Sequence, residues 1–311
     1  MIPQKIVVLA TGGTIAGRAA RQHDNIGYTA AQVGVEDLLD AVPGLKPRVF
    51  AAEQVAQVDS KDMGHDVWRD LARGCSRWLA HDEVAGIVVT HGTDTLEETA
   101  YFLQAVLAPR KPVVLTCAMR PATAIAPDGP QNMLDAAAVA MTHGASGVLV
   151  VCAGTVHGAR DVAKRHTYRL DAFSSGDAGP LAYVEEGLLR QVRPWAAHAD
   201  ANADLLARVL AAAELPRVEI VMSHAGASGA VVEALVAQGV DGIVVAATGN
   251  GTVHRDLEAA LLNAQTAGVK ILRATRCAEG VVVGNGKEAL PAAIDLSPVK
   301  ARIALMLELL R

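Results

Sequence analysis

The 311 residues carry 28 lysines and arginines against 33 aspartates and glutamates, a formal charge of −5 with both signs interspersed, a balance that excludes a nucleic-acid-binding surface. Apolar residues make up 51% and aromatics only 3%, but the apolar runs end at glycines far short of the roughly 20 residues a membrane helix needs, so no membrane partner is predicted. A chain of this length predicts one large and one smaller domain, each able to bury its own core.

Met1-Ile2-Pro3-Gln4-Lys5 leads straight into Ile6-Val7-Val8-Leu9, without the features of a secretory signal. That start predicts a cytoplasmic protein, or a periplasmic one from which a signal has been removed. Strand-like runs follow at 5–10, 48–58, 85–90, 112–116 and 147–152. Between them, three sets recur at helical spacing: Met63, Val67, Leu71, Cys75 and Trp78; Leu96, Ala100, Leu103 and Leu107; Met133, Ala137 and Met141. These stripes read as core. Alternating strands and helices predict an α/β fold, with an open, mostly parallel sheet and flanking helices in a larger N-terminal domain, 1–190.

The pattern loosens over 176–216, where Gly179-Pro180, Pro194 and an alanine-rich charged helix around 202–213 suit a linker, placed at 191–215. Strands then return at 218–222, 242–246 and 269–273, with helices at 228–238 and 254–266 and a last one from Pro298. This is the smaller C-terminal α/β domain, 216–311. Cys75, Cys117, Cys152 and Cys277 form no C-x-x-C pair and read as buried small hydrophobes. The ten histidines show no metal-ligand spacing, so neither a metal nor another cofactor is predicted.

Two segments stand out at strand ends, where open α/β sheets bind ligands. Ala10-Thr11-Gly12-Gly13-Thr14-Ile15-Ala16-Gly17 follows the first strand, and Thr90-His91-Gly92-Thr93-Asp94-Thr95 follows the run at 85–90. A threonine hydroxyl is a poor nucleophile that needs a base or a relay to take its proton. Thr93, Asp94 and Lys164 supply a candidate relay, since an adjacent aspartate positions a lysine and favours its charged form. Gly12, Gly13 and Gly92 allow backbone N–H groups to approach a ligand and stabilise an oxyanion, although Gly12 and Gly13 also suit an ordinary βα turn. Neither G-x-G-x-x-G nor G-x-x-x-x-G-K-[ST] is present, so nucleotide binding is not expected.

These segments do not stand alone. Together with Tyr28-Thr29, 34–43, Asp59-Ser60-Lys61-Asp62-Met63, Ala118-Met119-Arg120-Pro121-Ala122-Thr123, Asp128-Gly129-Pro130, 158–164 and Gly249-Asn250-Gly251, they make the chain resemble bacterial-type L-asparaginases of the asparaginase/glutaminase family. The motifs are closest to the type II subgroup, whose members are secreted, although no signal precedes them here. The resemblance implies hydrolysis of L-asparagine to L-aspartate and ammonia through a threonyl acyl-enzyme. The runner-up is a dual glutaminase-asparaginase, and an amino-acid-binding protein that has lost catalysis is a third reading.

Carried over by position, Thr14 matches the family nucleophile, Tyr28 the tyrosine of a closing loop, and Thr93, Asp94 and Lys164 a second threonine-centred triad. Ser60 and Lys61 match the α-carboxylate positions, Asp94 also the α-ammonium partner, and the backbone of Ala118 borders the amide. Asn250 would complete the pocket of a neighbouring subunit in a homotetramer built from intimate dimers. Lys61 departs from the glutamine usual in secreted members and adds a positive charge. The loop at 276–290 is shorter than theirs, with Glu288 the nearest candidate for their intersubunit glutamate.

Overall fold

A computed structural model describes residues 5–21, 23–195, 203–284 and 288–310. The chain separates into two compact units, with the division between Leu206 and Ala207. In the first unit β1 (Lys5–Gly12) is followed by a two-residue-per-strand hairpin, β2 (Arg18–Ala19) and β3 (Tyr28–Thr29), then α1 (Val35–Asp40) and β4 (Val49–Val58). After α2 (His65–Leu79) come β5 (Val84–Thr90), α3 (Leu96–Leu107), β6 (Val113–Thr116), α4 (Gly129–Ala140) and β7 (Val148–Cys152). The remaining strands are β8 (Thr155–Gly158), β9 (Ala163–Lys164), β10 (Phe173–Ser174), β11 (Ala182–Glu185) and β12 (Leu188–Gln191).

The main sheet runs β12-β11-β8-β7-β6-β5-β1-β4. Its β4-β1-β5-β6-β7 portion is parallel, and β8, β11 and β12 extend it antiparallel. Central parallel strands are covered on both faces, so they read as unbroken apolar runs. Ile6, Val7, Val8 and Leu9 are accordingly all fully buried. Ile6, Val8 and Ala10 pack into a cluster with Leu38 of α1 and Met133 and Ala137 of α4. On leaving β1 the chain goes first to β4 on one side and then to β5 on the other. That reversal makes a topological switch point at the carboxyl ends of β1 and β5, the position at which open α/β sheets bind ligands.

The second unit begins within α5 (Ala203–Ala211) and holds a three-stranded parallel sheet, β13-β14-β15, formed by β13 (Val218–Met222), β14 (Gly242–Ala247) and β15 (Lys270–Thr275). Its helices are α6 (Ala230–Ala237), α7 (Arg255–Thr266) and α8 (Pro298–Leu309). Val221, Ile243, Val245, Leu257, Leu261 and Ile271 belong to its core.

Several details depart from the sequence-based expectations. Met63 precedes α2 and caps a short 3-10 turn, Ser60–Asp62, while Met141 caps α4 and is 39% exposed. Helical spacing alone carried both past the helix ends, where the stripe leaves the core. Cys277 is exposed, unlike the three buried cysteines. Residues 182–191, read as the start of a loosened region, instead form the β11–β12 hairpin at the sheet edge. Leu188 is 74% exposed there, because an edge hairpin with one wet face does not need the apolar run that marks a central strand. Residues 196–202 of the expected linker lie outside the described residues.

Candidate active site

The turn after β1 is built from two glycines with left-handed backbone, Gly12 at φ 104° and Gly13 at φ 82°, a region open to glycine and costly for side chains. A Cβ on Gly13 would overlap the backbone of Gly92, and one on Gly92 would overlap the Ser60 side chain. The loops after β1 and β5 therefore touch backbone to backbone. The strands beneath hold them in register, with Ala10 opposite Thr90.

Thr14 follows Gly13 as the first residue of a short 3-10 turn and is 94% buried, its exposure being 6%. Its Oγ1 lies 2.6 Å from the phenolic oxygen of Tyr28. The short β2–β3 hairpin presents Tyr28, and the Thr123 hydroxyl, which accepts from the Ala19 N–H at 2.8 Å, anchors that hairpin. Asp24 accepts from the N–H groups of Ile26 and Gly27, and these bonds hold its carboxyl below the usual carboxylate range. Thr11, the other threonine of the motif, is occupied elsewhere, donating to the Thr90 carbonyl at 2.9 Å.

On the other loop, Lys164 Nζ donates to Thr93 Oγ1 at 2.8 Å and to the Asp94 carboxylate at 2.6 Å. Pairing of β9 with β10 brings Lys164 there, across seventy residues of sequence. Because Thr93 accepts from the lysine, its own hydroxyl proton is directed elsewhere. Ser60 is fully enclosed at 2% exposure. Its Oγ accepts from the Asp94 N–H at 3.1 Å, and its carbonyl accepts from Thr95 Oγ1 at 2.7 Å. Thr14, Tyr28, Ser60, Thr93, Asp94 and Lys164 are thus joined through two loops in contact.

Lys61 points differently. Its ammonium lies 2.8 Å from Asp62 and 3.1 Å from Asp59, with the side chain 61% exposed. Asp62 first, then Asp59, raise its pKa. Asn250 belongs to the second unit, where its amide donates to the Val283 carbonyl and accepts from the Val283 N–H, both at 2.7 Å. Glu288 faces Arg273 at 3.5 Å, and that arginine also donates to the carbonyls of Leu290 and Gly251.

Ala118 is buried just beyond β6. Two residues to which the sequence assigned no site role, Asp128 and Asn132, hold its loop. The Asp128 carboxylate accepts from the N–H groups of Met119 and Arg120, each at 2.9 Å. Asn132 donates to the Cys117 carbonyl at 2.9 Å and accepts from the Ala153 N–H at 3.0 Å, tying the ends of β6 and β7 together. Asn132 lies one helical turn from Asp128, and that i, i+4 spacing was the available signal. Among the described residues no cluster of histidine, cysteine or carboxylate side chains is arranged to hold a metal ion.

Chemically, the two contacting loops offer a buried hydroxyl paired with a phenol on one, and a second hydroxyl paired with an ammonium and a carboxylate on the other. Such a set suits covalent attack on an acyl carbon with proton transfer close at hand. Comparison with known proteins gives the same class. The family model "Asparaginase, N-terminal" matches residues 5–197, and "Glutaminase/Asparaginase C-terminal domain" matches 217–311. The chain belongs to the asparaginase family.

The L-asparaginase 2 of Escherichia coli (strain K12) is 40% identical over 98% of this chain and 88% of its own length. The glutaminase-asparaginase of Pseudomonas fluorescens biotype A is 38% identical over 98% and 86%. A solved structure, the probable cytoplasmic L-asparaginase from Campylobacter jejuni, superposes with a TM-score of 0.92 at 38% identity, covering 98% of this chain and 95% of that one. No helix among the described residues is long and apolar enough to cross a membrane.

Proposed function

We propose that this chain is an L-asparaginase that hydrolyses L-asparagine to L-aspartate and ammonia through a threonyl acyl-enzyme. One observation supports the reading above all: Gly13 and Gly92 touch backbone to backbone, between the loop of the Thr14–Tyr28 pair and the loop of the Thr93–Lys164–Asp94 set. Thr14 Oγ1 attacks the side-chain amide carbon and its proton passes to a neighbouring acceptor. The C–N bond breaks, ammonia leaves with that proton, and water then cleaves the ester to release aspartate and restore the hydroxyl.

Two acceptors are within the site, the Tyr28 phenol oxygen and the Thr93 hydroxyl, which passes a proton on to Lys164 only when that lysine is a neutral amine. The 2.6 Å contact favours Tyr28 as the direct partner. Ser60 takes the α-carboxylate side of the substrate, with Lys61 at the rim beside Asp59 and Asp62, Asp94 takes the α-ammonium, and the Ala118 backbone borders the amide. Asn250, with Glu288 the nearest acidic residue, completes a partner's site in a homotetramer of intimate dimers, an assembly resting on the family resemblance. A cytoplasmic location belongs to the same reading, supported by the solved relative, a probable cytoplasmic L-asparaginase, and by three buried free cysteines, which suit a reducing compartment.

Ammonia release from L- and D-asparagine and L- and D-glutamine by the purified protein tests the reading. Preference for L-asparagine is expected, and no release from any of the four overturns it. Equal efficiency on asparagine and glutamine establishes the dual activity instead, which the Pseudomonas relative's name favours. Sedimentation together with assay tests the shared sites, since a fully active monomer contradicts them.

A further inference from the structure

His91 stands in the second motif, touches neither Thr14 nor Lys164 in any hydrogen bond, and has no part in the chemistry described above. Its surroundings are nonetheless highly ordered. His91 and Thr99 are fully buried, and Trp68 is 97% buried, with 3% exposed. The Trp68 indole N–H donates to Thr99 Oγ1 at 2.8 Å, Thr99 Oγ1 lies 2.9 Å from His91 Nε2, and His91 Nδ1 lies 2.7 Å from the carbonyl oxygen of Gly92.

The roles along this chain follow from what each group can do. An indole nitrogen only donates, and a carbonyl oxygen only accepts. Nδ1 must therefore carry a proton to bond Gly92, and in a neutral ring Nε2 is then bare. The Thr99 hydroxyl, already accepting from Trp68, has its single proton left to give to Nε2. Burial supports the neutral ring, pushing the imidazole pKa down to about 4. Donation thus runs one way, from Trp68 through Thr99 and His91 to the Gly92 carbonyl.

That carbonyl is where the chain matters. In a trans peptide the C=O and the following N–H point in opposite directions, so drawing the Gly92 oxygen toward the buried ring turns the Thr93 N–H away from it. Gly92 is also the residue packed against Gly13 and Ser60. We propose that His91, held as the Nδ1–H tautomer by Trp68 and Thr99, is a positioning residue that fixes the Gly92–Thr93 peptide and thereby the spacing of the two catalytic loops. This rests on the amidohydrolase reading above for its effect on rate, but not for its geometry.

Neutron diffraction of the wild-type protein near neutral pH, or NMR with 15N-labelled histidine, reports the tautomer directly. A proton on Nδ1 and none on Nε2 is expected, and a proton on Nε2 overturns the proposal. Thr99→Val keeps the shape but removes the hydroxyl. It is expected to lower kcat about tenfold, because small misplacements of reacting groups cost between ten- and a hundredfold, with KM changed less than about twofold. Thr99→Ser is expected to restore kcat. Trp68→Phe, which leaves the Thr99 donor in place, is expected to lose less.

A role in packing alone lowers the unfolding midpoint of Thr99→Val while leaving kcat of the folded enzyme intact, and that result also overturns the proposal. An inactive wild-type protein is a separate result, which removes the amidohydrolase reading and with it the catalytic part of the role.

Discussion

At the scale of single residues, the proposed chemistry rests on the two hydroxyl partnerships, Thr14 with Tyr28 and Thr93 with Lys164, and less on the charged rim. Lys61 illustrates the difference. Its ammonium sits between Asp59 and Asp62 and is mostly in water, where solvent and salt screen an ion pair to a small effect. Lys61→Gln is therefore expected to change KM for asparagine by less than about fivefold and leave kcat unchanged in steady-state assays; a larger KM effect would mean that substrate draws the ammonium from its neighbours. The grouping of Thr14 with Tyr28 and of Thr93 with Asp94 and Lys164 was legible through the resemblance rather than through the turns themselves, since glycine-rich strand ends also suit an ordinary βα turn. The direction of the Lys61 side chain was not, since it depends on two carboxylates beside it rather than on the motif. His91 was equally hidden: a buried histidine bonded to helix residues has no ligand spacing to announce it.

Among the elements, the βα turns need support from behind. The Asp128 carboxylate at the start of α4 holds two N–H groups of the loop that carries Ala118, and Asn132 ties that loop to the end of β7. Asp128→Asn keeps one acceptor and turns an amide N–H toward the other donor, removing a charge-assisted bond and leaving a backbone donor unpaired, at a cost of about 1–3 kcal/mol. A lower urea midpoint and a reduced kcat/KM are expected together, and an unchanged value of both contradicts the role. The parallel strands were legible from their apolar runs, and α3 and α4 from their 3.6-residue periodicity. The β8, β11 and β12 extension was not, because short strands at a partly wet edge carry mixed sequence. Tyr183 and Arg190, facing partners on β11 and β12, show that character.

For the whole molecule, the same burial that orders the site makes stability depend on pH. His91 and His157 both have pKa values pushed down to about 4 by loss of solvation, against about 6.5 in the unfolded chain. Between those values the unfolded state binds protons that the folded state excludes. Their contribution is fully present above pH 6.5 and is lost as pH falls toward 4, at up to about 1.4 kcal/mol per pH unit for each histidine. Urea unfolding at pH 7, 6 and 5 is expected to show this decline, and His157→Gln to make it shallower; an identical slope in the variant contradicts it. The division into two units rests on separate cores that strand spacing already suggested. The proposed reaction turns on one hydroxyl, that of Thr14. Ammonia release from L-asparagine by the wild-type protein and by Thr14→Ala is the decisive assay: turnover in the first and loss to background in a folded second are expected, and wild-type turnover by Thr14→Ala means that Thr14 is not the nucleophile.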